Sequence, residues 1–232
     1  TVVIMSPHSP VYADAFAVKG VPSLGGSLRQ FGAPQVRYDS ETDLELAGSL
    51  VEAAASMDVR CEMVGTRGYR HPDVSDLDHG VLVPMHFLAR KRYPLVCISL
   101  SMLDYRSHYK LGVALRRAVE ESGRNCLFVA SGDMSHRLLP GAPAGYDPLG
   151  ADFDAEIVEI LSSGEFRGLF ELDDRLVDRA GECGLRPVFT LAGAVDGYAR
   201  SSGVLSYEGP FGVGYLVARV KPGARDASLS IL

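Results

Sequence analysis

The sequence predicts a single α/β domain, in which helices cover both faces of a mostly parallel or mixed central sheet. Three observations support this fold class: apolar runs of strand length alternate with helical patterns, the 232-residue chain is long enough for a substantial core, and no tract is biased in composition. Strands that alternate with helices are typical of a parallel sheet joined by crossover helices. We expect one domain over residues 1–221 and a flexible tail over residues 222–232.

The first half of the chain shows the alternation most clearly. Apolar runs rich in β-branched residues predict strands over residues 2–5, 59–64, 95–100 and 126–130. Helical periodicity between them predicts helices over residues 41–56, 78–89 and 108–122.

The second half changes in character. Helices are predicted over residues 150–162, 166–180 and 186–199, followed by strands over 204–208 and 212–220. We expect these two strands to form an antiparallel pair at the edge of the sheet. Residues 20–34 and 131–150 are rich in Gly and Pro and are predicted to be loops.

Charge and composition exclude several classes of function. The formal net charge is −6 and the Lys and Arg residues are scattered, so the sequence predicts no surface for nucleic acid or anionic lipid. The apolar runs fall far short of the ~20 residues that cross a bilayer. Four widely spaced cysteines suit a reducing compartment better than a disulfide framework. We expect a cytoplasmic protein that acts on a small molecule, without a nucleic-acid or membrane partner.

Two histidines follow predicted strands. His8 stands in SPHSP after the first strand, and His136 stands in ASGDMSHRL after the strand at 126–130. Ligands of open α/β sheets bind beyond the carboxyl ends of the strands. A histidine there can bind a metal or exchange protons near neutral pH. For each of them, an ordinary turn residue is the alternative.

Two further residues are candidates for the same chemistry. His79 lies in LDHGVLVPMHF, where Asp78 is expected to cap a helix and Gly80 permits close approach. Glu182 lies in AGECGLRP, where its carboxylate either interacts with a helix dipole or binds a metal. Two His and one carboxylate form the facial triad of non-haem Fe(II) oxygenases.

The other histidines are not predicted to be ligands. His86 lies among apolar neighbours and is expected to face the core, His71 is expected in a loop, and His108 begins a predicted helix.

Four motifs occur in order along residues 1–219: SPHSPVYADAF; LDHGVLVPMHFL; SGDMSHRL followed by PAGYDPLGADFDAEI; and AGECGLRPVF with SYEGPFGVGYLVA. Together they resemble the class III (LigB-type) extradiol ring-cleavage dioxygenases, in particular the bacterial branch associated with AMMECR-type domains. The resemblance implies an α/β core that holds Fe2+ by two His and one Glu.

The resemblance also implies roles for individual residues. His8 and Glu182 match metal ligands, His136 matches the acid/base histidine, and His79 matches a histidine that contacts substrate or intermediate. The family carries its first metal histidine in an N-terminal segment, and this sequence starts at Thr1, downstream of that segment. We expect that histidine either upstream of Thr1 or replaced in an altered site.

The implied function is an Fe2+-dependent extradiol dioxygenase that opens a catechol-like or aminophenol ring with O2 in aromatic catabolism. Its expected partners are a small aromatic diol, O2, a second copy in a homodimer and an AMMECR-type protein. Two alternatives stay open. One is a metal-binding scaffold or accessory protein of the same superfamily, and the other is a Zn2+-dependent enzyme, because imidazole and carboxylate also suit catalytic zinc.

Overall fold

The computed structural model describes residues 1–65 and 74–232, and the predicted loop position of His71 lies outside them. The chain divides into two units. The first comprises Thr1–Ser131 and Arg186–Ala194, and the second comprises Gly132–Leu185 and Val195–Leu232. The expectation of one domain over residues 1–221 stays a prediction.

Nine strands and six α-helices form within the described residues. The strands are β1 (Val2–Ser6), β2 (Phe16–Lys19), β3 (Ser23–Leu28), β4 (Ala33–Glu41), β5 (Cys61–Val64), β6 (Leu95–Ser99), β7 (Leu127–Ala130), β8 (Tyr198–Glu208) and β9 (Tyr215–Arg225). The α-helices are α1 (Leu44–Ala55), α2 (His79–Leu88), α3 (Tyr105–Ser122), α4 (Leu149–Ser163), α5 (Asp174–Ala180) and α6 (Leu185–Ala194).

A five-stranded mixed sheet forms the centre of the first unit, with the strand order β5-β2-β6-β1-β7. β1 pairs in parallel with β6 and β7, and β2 pairs in parallel with β5. The contact between β2 and β6 is antiparallel. The predicted mixed α/β fold is therefore confirmed.

Alternate residues of β1 enter two different cores. Val3 and Met5 pack with apolar side chains of α1 and α3. Val2 and Ile4 pack with side chains of α2. Successive side chains of a strand point to opposite faces of a sheet, so these helices cover both faces as predicted.

The prediction of a loop over residues 20–34 is wrong, because β3 and β4 form an antiparallel hairpin there. The glycines that suggested a loop serve close packing instead. A Cβ on Gly26 would lie 2.6 Å from the backbone oxygen of Leu77, and Gly25 exchanges backbone hydrogen bonds with Ser75 and Leu77.

The second unit contains α4, α5 and the hairpin of β8 and β9. This hairpin is a separate two-stranded sheet, so its predicted place at the edge of the central sheet is wrong. Arg200 on β8 joins the hairpin to the end of α4: its Nε donates to the Gly164 oxygen at 2.7 Å, and its guanidinium stacks over Phe166. β9 continues to Arg225, four residues beyond the expected domain boundary.

The helices predicted over 166–180 and 186–199 differ most from the structure. The helix predicted over 166–180 is a 3₁₀ turn at Phe166–Phe170 followed by α5, whose N-cap residue Asp173 accepts from the Arg175 N–H at 2.8 Å. The helix predicted over 186–199 ends at Ala194. Gly197, with a left-handed φ of 69°, precedes β8.

In the first unit, α3 and the 186–194 part of α6 approach so closely that their backbones touch. A Cβ on Gly112 would lie 2.0 Å from the Thr190 oxygen, and one on Gly193 would lie 1.9 Å from the Tyr109 oxygen. Arg116 Nε adds a hydrogen bond to the Ala194 oxygen at 2.8 Å.

Gly193→Ala is expected to destabilise the fold by on the order of 3 kcal/mol, because the helices must separate to admit a methyl group. Gly48→Ala is the matched control, since Gly48 lies in α1 with open space around it. It should stabilise the protein by up to about 1 kcal/mol. Urea unfolding measures both changes, and equal midpoints for wild type and Gly193→Ala would contradict the packing argument.

His108 is fully buried in α3. The helix starts three residues earlier than predicted because Asp104 caps it, accepting from the Ser107 N–H at 2.7 Å. The His108 Nδ1 lies 2.9 Å from the Asp104 oxygen, and its Nε2 has no hydrogen-bond partner among the described residues. Burial lowers the pKa of His108 to about 4.

The stability of the fold should therefore depend on pH below neutrality. An unfolded histidine takes up a proton near pH 6.5 and the folded one only near 4. Above pH 6.5, His108 therefore does not reduce the free energy of unfolding. As the pH falls toward 4, the free energy of unfolding decreases by up to about 3 kcal/mol because of this residue. Denaturant titrations at several pH values should show a shallower dependence in His108→Phe. Identical slopes in the two proteins would refute this assignment.

Candidate functional site

In the first unit, the turn that follows β1 is fixed by the carboxylate of Asp78. Ser6 Oγ donates to Asp78 Oδ1 at 2.5 Å, and Ser9 Oγ donates to Asp78 Oδ2 at 2.7 Å. The His8 N–H donates to Ser6 Oγ at 3.2 Å. The two serines that flank His8 are thus bound to one carboxylate, which fixes the backbone of His8 while its side chain is exposed.

His79, the first residue of α2, lies against His8. Their rings stack with centroids 3.8 Å apart, and the edge of Phe31 meets the His79 ring at 5.0 Å. Gly80 permits this approach, because a Cβ there would lie 2.4 Å from Ser6 Oγ and 3.2 Å from His8 Cδ2. Two histidines that are 71 positions apart in sequence are therefore neighbours.

The expectation for Asp78 is correct in position but not in its side-chain bond, and the expectation for His86 is wrong. Asp78 is the N-cap residue of α2, but within the described residues its side chain makes no capping bond, because both of its oxygens accept from serines. His86 is exposed rather than core-facing. The buried side of α2 consists of Gly80, Val81, Leu82 and Met85.

In the second unit, His136 lies beside a carboxylate and a thiol. Its Nε2 is 3.5 Å from Asp133 Oδ2 and 3.9 Å from Cys183 Sγ. Interaction with Asp133, followed by that with Cys183, raises the pKa of His136 to about 10, although burial acts in the opposite direction. The imidazole is therefore stabilised in its protonated form.

Close backbone packing brings these residues together. The Asp133 N–H donates to Cys183 Sγ at 3.1 Å, and the Cys183 N–H donates to the Asp133 oxygen at 3.2 Å. A Cβ on Gly132 would lie 2.7 Å from the Cys183 oxygen, and one on Gly184 would lie 2.9 Å from the Asp133 oxygen. Glycines in SGD and ECG thus allow the two segments to meet.

Glu182 stabilises the start of α6. Its Oε2 accepts from the Leu185 N–H at 2.6 Å. The structural role considered for this carboxylate is therefore present, and its role as a metal ligand stays a prediction.

The candidate donor atoms differ in the metal that they suit. Over residues 1–65 and 74–232, the group of three donor atoms within 4.8 Å of one another is Asp133, His136 and Cys183. Neither His8 nor Glu182 belongs to it. An imidazole at His8 and a carboxylate at Glu182 are donors that fit Fe2+, whereas a thiolate favours a softer metal.

Sequence reasoning missed Asp154, which is completely buried on α4. Its oxygens accept from the Ser135 N–H at 2.7 Å and from the Tyr207 hydroxyl at 2.6 Å. A signal was available, since Asp154 shares a helical stripe with Gly150, Phe153, Ile157 and Leu161. An acid in an apolar stripe indicates a buried partner.

The protein has a mixed α/β fold with histidines after strand ends and at the start of a helix. These histidines are candidates for acid–base chemistry and for metal binding. Residues 1–218 match the family model described as the catalytic LigB subunit of aromatic ring-opening dioxygenase. The chain belongs to this family.

Curated relatives support the assignment. Protein CA_C1420 of Clostridium acetobutylicum is 36% identical over 231 residues, which are 98% of this chain and 49% of that protein. A 3,4-dihydroxyphenylacetate 2,3-dioxygenase of Escherichia coli is 27% identical over 139 residues, 56% of this chain and 48% of that protein. The MEMO1 family protein Mbar_A1422 of Methanosarcina barkeri is 27% identical over 154 residues, 64% and 49% of the two chains. The chain thus spans about half the length of the curated relatives it matches.

A solved structure shares the fold. The uncharacterized protein JW3007 from Escherichia coli K12 aligns with a TM-score of 0.58 at 19% identity, over 96% of this chain and 85% of that one. Within the part of the chain that the structure describes, no helix is long and apolar enough to cross a membrane.

Asp78→Ala is expected to destabilise the protein by roughly 1–3 kcal/mol, because two serine hydroxyls lose their acceptors. Asp78→Asn keeps one acceptor and should lose about half as much. Asp76→Ala is the control, since that side chain is exposed, and should stay within about 0.5 kcal/mol of wild type. Chemical denaturation compares the three variants, and equal losses of stability at positions 76 and 78 would contradict the stabilisation of the turn after β1 by Asp78.

Proposed function

We propose that this protein is a metal-dependent extradiol dioxygenase that opens a catechol-like or aminophenol ring with O2. The observation that carries the proposal is the His136 imidazole, held beside Asp133 in a chain that matches the ring-opening dioxygenase family over residues 1–218. A histidine placed in this way can move a proton to or from a substrate oxygen.

The metal proposed is Fe2+, with His8 and Glu182 as two of its ligands by family resemblance. Fe2+ held by these residues would supply the redox chemistry by which electron density passes from the aromatic ring to O2. The support from this chain is the type of donor and, at His8, a backbone that Asp78 fixes through two serines.

His136 is proposed to hold and transfer a proton at Nε2. Asp133 faces the same nitrogen and stabilises the charged imidazole. In a ring-opening reaction, the protonated imidazole would first give its proton to an oxygen atom, and the neutral Nε2 would then accept a proton from the hydroxyl of the next diol.

His79 is proposed to donate a hydrogen bond to substrate oxygen on which negative charge develops. Its ring is restrained on one side by the stacked His8 ring and on another by Phe31. A donor held in place before the reaction stabilises such charge more than a mobile one does.

The substrates we propose are a small aromatic diol and O2. A homodimer, an AMMECR-type partner and a cytoplasmic location are proposals from the resemblance alone.

One observation favours a second candidate, a metal-binding protein or zinc enzyme. Cys183 adds a thiol to the Asp133 and His136 group, and thiolate, imidazole and carboxylate are all zinc ligands.

The proposal is tested with full-length protein loaded anaerobically with Fe2+ and given a panel of catechols and aminophenols. Oxygen uptake and a yellow ring-opened product are expected. His136→Ala should lower kcat by about 10²- to 10⁴-fold while the iron content stays the same. Exposed His86 provides the control variant His86→Ala, which should keep wild-type activity.

Two results would count against the proposal. One is an iron-loaded protein that consumes no O2 with any member of the panel. The other is zinc rather than iron in protein purified without added metal, together with zinc-dependent activity, which would favour the second candidate.

A further inference from the structure

We propose that Asp154 is a positioning residue for His136, acting through the Ser135 N–H with Tyr207 as its own support. This inference rests on the proposed function, because it assigns His136 the proton transfer. Asp154 does not touch the His136 ring in this assignment, and it acts by fixing the main chain that carries the ring.

The main chain around His136 is bound on both sides. Met134 and Ser135 exchange backbone hydrogen bonds with Gly214, at 2.9 Å and 2.8 Å. The His136 N–H donates to the Ala180 oxygen, and the His136 oxygen accepts from the Ala144 N–H, both at 3.2 Å.

The N–H of Ser135 differs from these groups, because its acceptor is a side chain. Asp154 Oδ1 accepts from it at 2.7 Å, and charge-assisted bonds of this kind are stronger than bonds between neutral groups. The Ser135 N–H is part of the peptide that joins Met134 to Ser135, so this bond fixes the main chain one peptide before the one that leads into His136.

Tyr207 on β8 fixes the other end of the carboxylate. Its hydroxyl donates to Asp154 Oδ2 at 2.6 Å. Gly214 closes over the same oxygen, because a Cβ there would lie 2.1 Å from Oδ2. The carboxylate is therefore held by α4, β8 and the residue before β9, and it has little freedom to rotate.

Burying the Asp154 carboxylate also costs free energy, which an apolar residue at this position would avoid. Burial raises the pKa of Asp154, and a charge removed from water is expensive unless it is well bonded. An apolar residue would fit the α4 stripe but would leave the Ser135 N–H without its acceptor. The geometry therefore explains why a carboxylate stands there.

The variants follow from this geometry. Asp154→Ala removes the acceptor and should lower kcat by about 10²-fold with KM unchanged, as a small misplacement of a catalytic group does. Asp154→Asn keeps an oxygen for the Ser135 N–H and should restore most of kcat. Tyr207→Phe frees Oδ2 and should lower kcat less than Asp154→Ala does. Tyr215→Phe on β9 is the matched control, because that side chain is 40% exposed, and should match wild type.

A second readout does not need activity. Hydrogen exchange by NMR should show faster exchange of the Ser135 amide in Tyr207→Phe than in Tyr215→Phe, and this holds even if Asp154→Ala fails to fold. A wild-type protein without ring-opening activity would refute the proposed function, while the exchange data would still decide whether Asp154 fixes this amide.

Three outcomes would overturn the inference. The first is a Ser135 amide whose exchange is the same in Tyr207→Phe and Tyr215→Phe. The second is a folded Asp154→Asn variant with kcat as low as that of Asp154→Ala, which would mean that charge rather than position matters. The third is an Asp154→Ala variant in which KM rises and kcat is unchanged, which would place Asp154 in substrate binding.

Discussion

The Asp78 carboxylate makes the interaction on which the arrangement of the first unit's histidines depends. β1 lies between two parallel partners and is buried along its whole length, so its end has a fixed position in the sheet. Asp78 binds the last residue of that strand, Ser6, and the turn residue Ser9. Because Asp78 also directly precedes α2, these bonds hold the first residue of the helix beside the turn after β1, where the rings of His8 and His79 stack.

In the second unit, loops rather than a strand end bring the candidate functional side chains together. No strand carries His136, so the positions of Asp133, His136 and Cys183 depend on glycines that let two loops touch and on the hydrogen bonds of their main chain. Loops can place functional groups accurately when a rigid scaffold satisfies their backbone. Here Asp154, which is part of a helix, supplies one acceptor that the loop itself lacks.

Much of the fold follows from local pattern, and the failures occur where local pattern is ambiguous. The run Val2–Ser6 is largely apolar and is followed directly by Pro7, so its assignment as a strand needs no tertiary information. The β3 and β4 hairpin was missed because glycines that permit close packing resemble the glycines of a loop. For β8 and β9, sequence indicates an antiparallel pair but not the sheet to which it belongs.

The site divides in the same way. Sequence motifs identify His8, His79, His136 and Glu182 as candidates, and the contact between His8 and His79 needs the fold. Asp154 and Tyr207 are 53 positions apart, and nothing local to either one indicates a hydrogen bond between them. Local sequence assigns no role to Cys183, because its significance depends on Asp133 and His136, which are about 50 positions away.

Proton transfer and metal binding compete for one atom in the second unit. Asp133 and Cys183 both face His136 Nε2, and both raise its pKa, so this point of the molecule favours positive charge. A proton and a metal ion would both bring positive charge to Nε2, but an imidazole nitrogen that carries the proton cannot bind the metal. The two proposed functions, dioxygenase and metal-binding protein, therefore use the same side chains here. They differ in whether a proton or a metal ion occupies Nε2. In the dioxygenase the occupant is a proton that moves, and the thiol of Cys183 then acts as a neighbour of the acid–base pair rather than as a ligand.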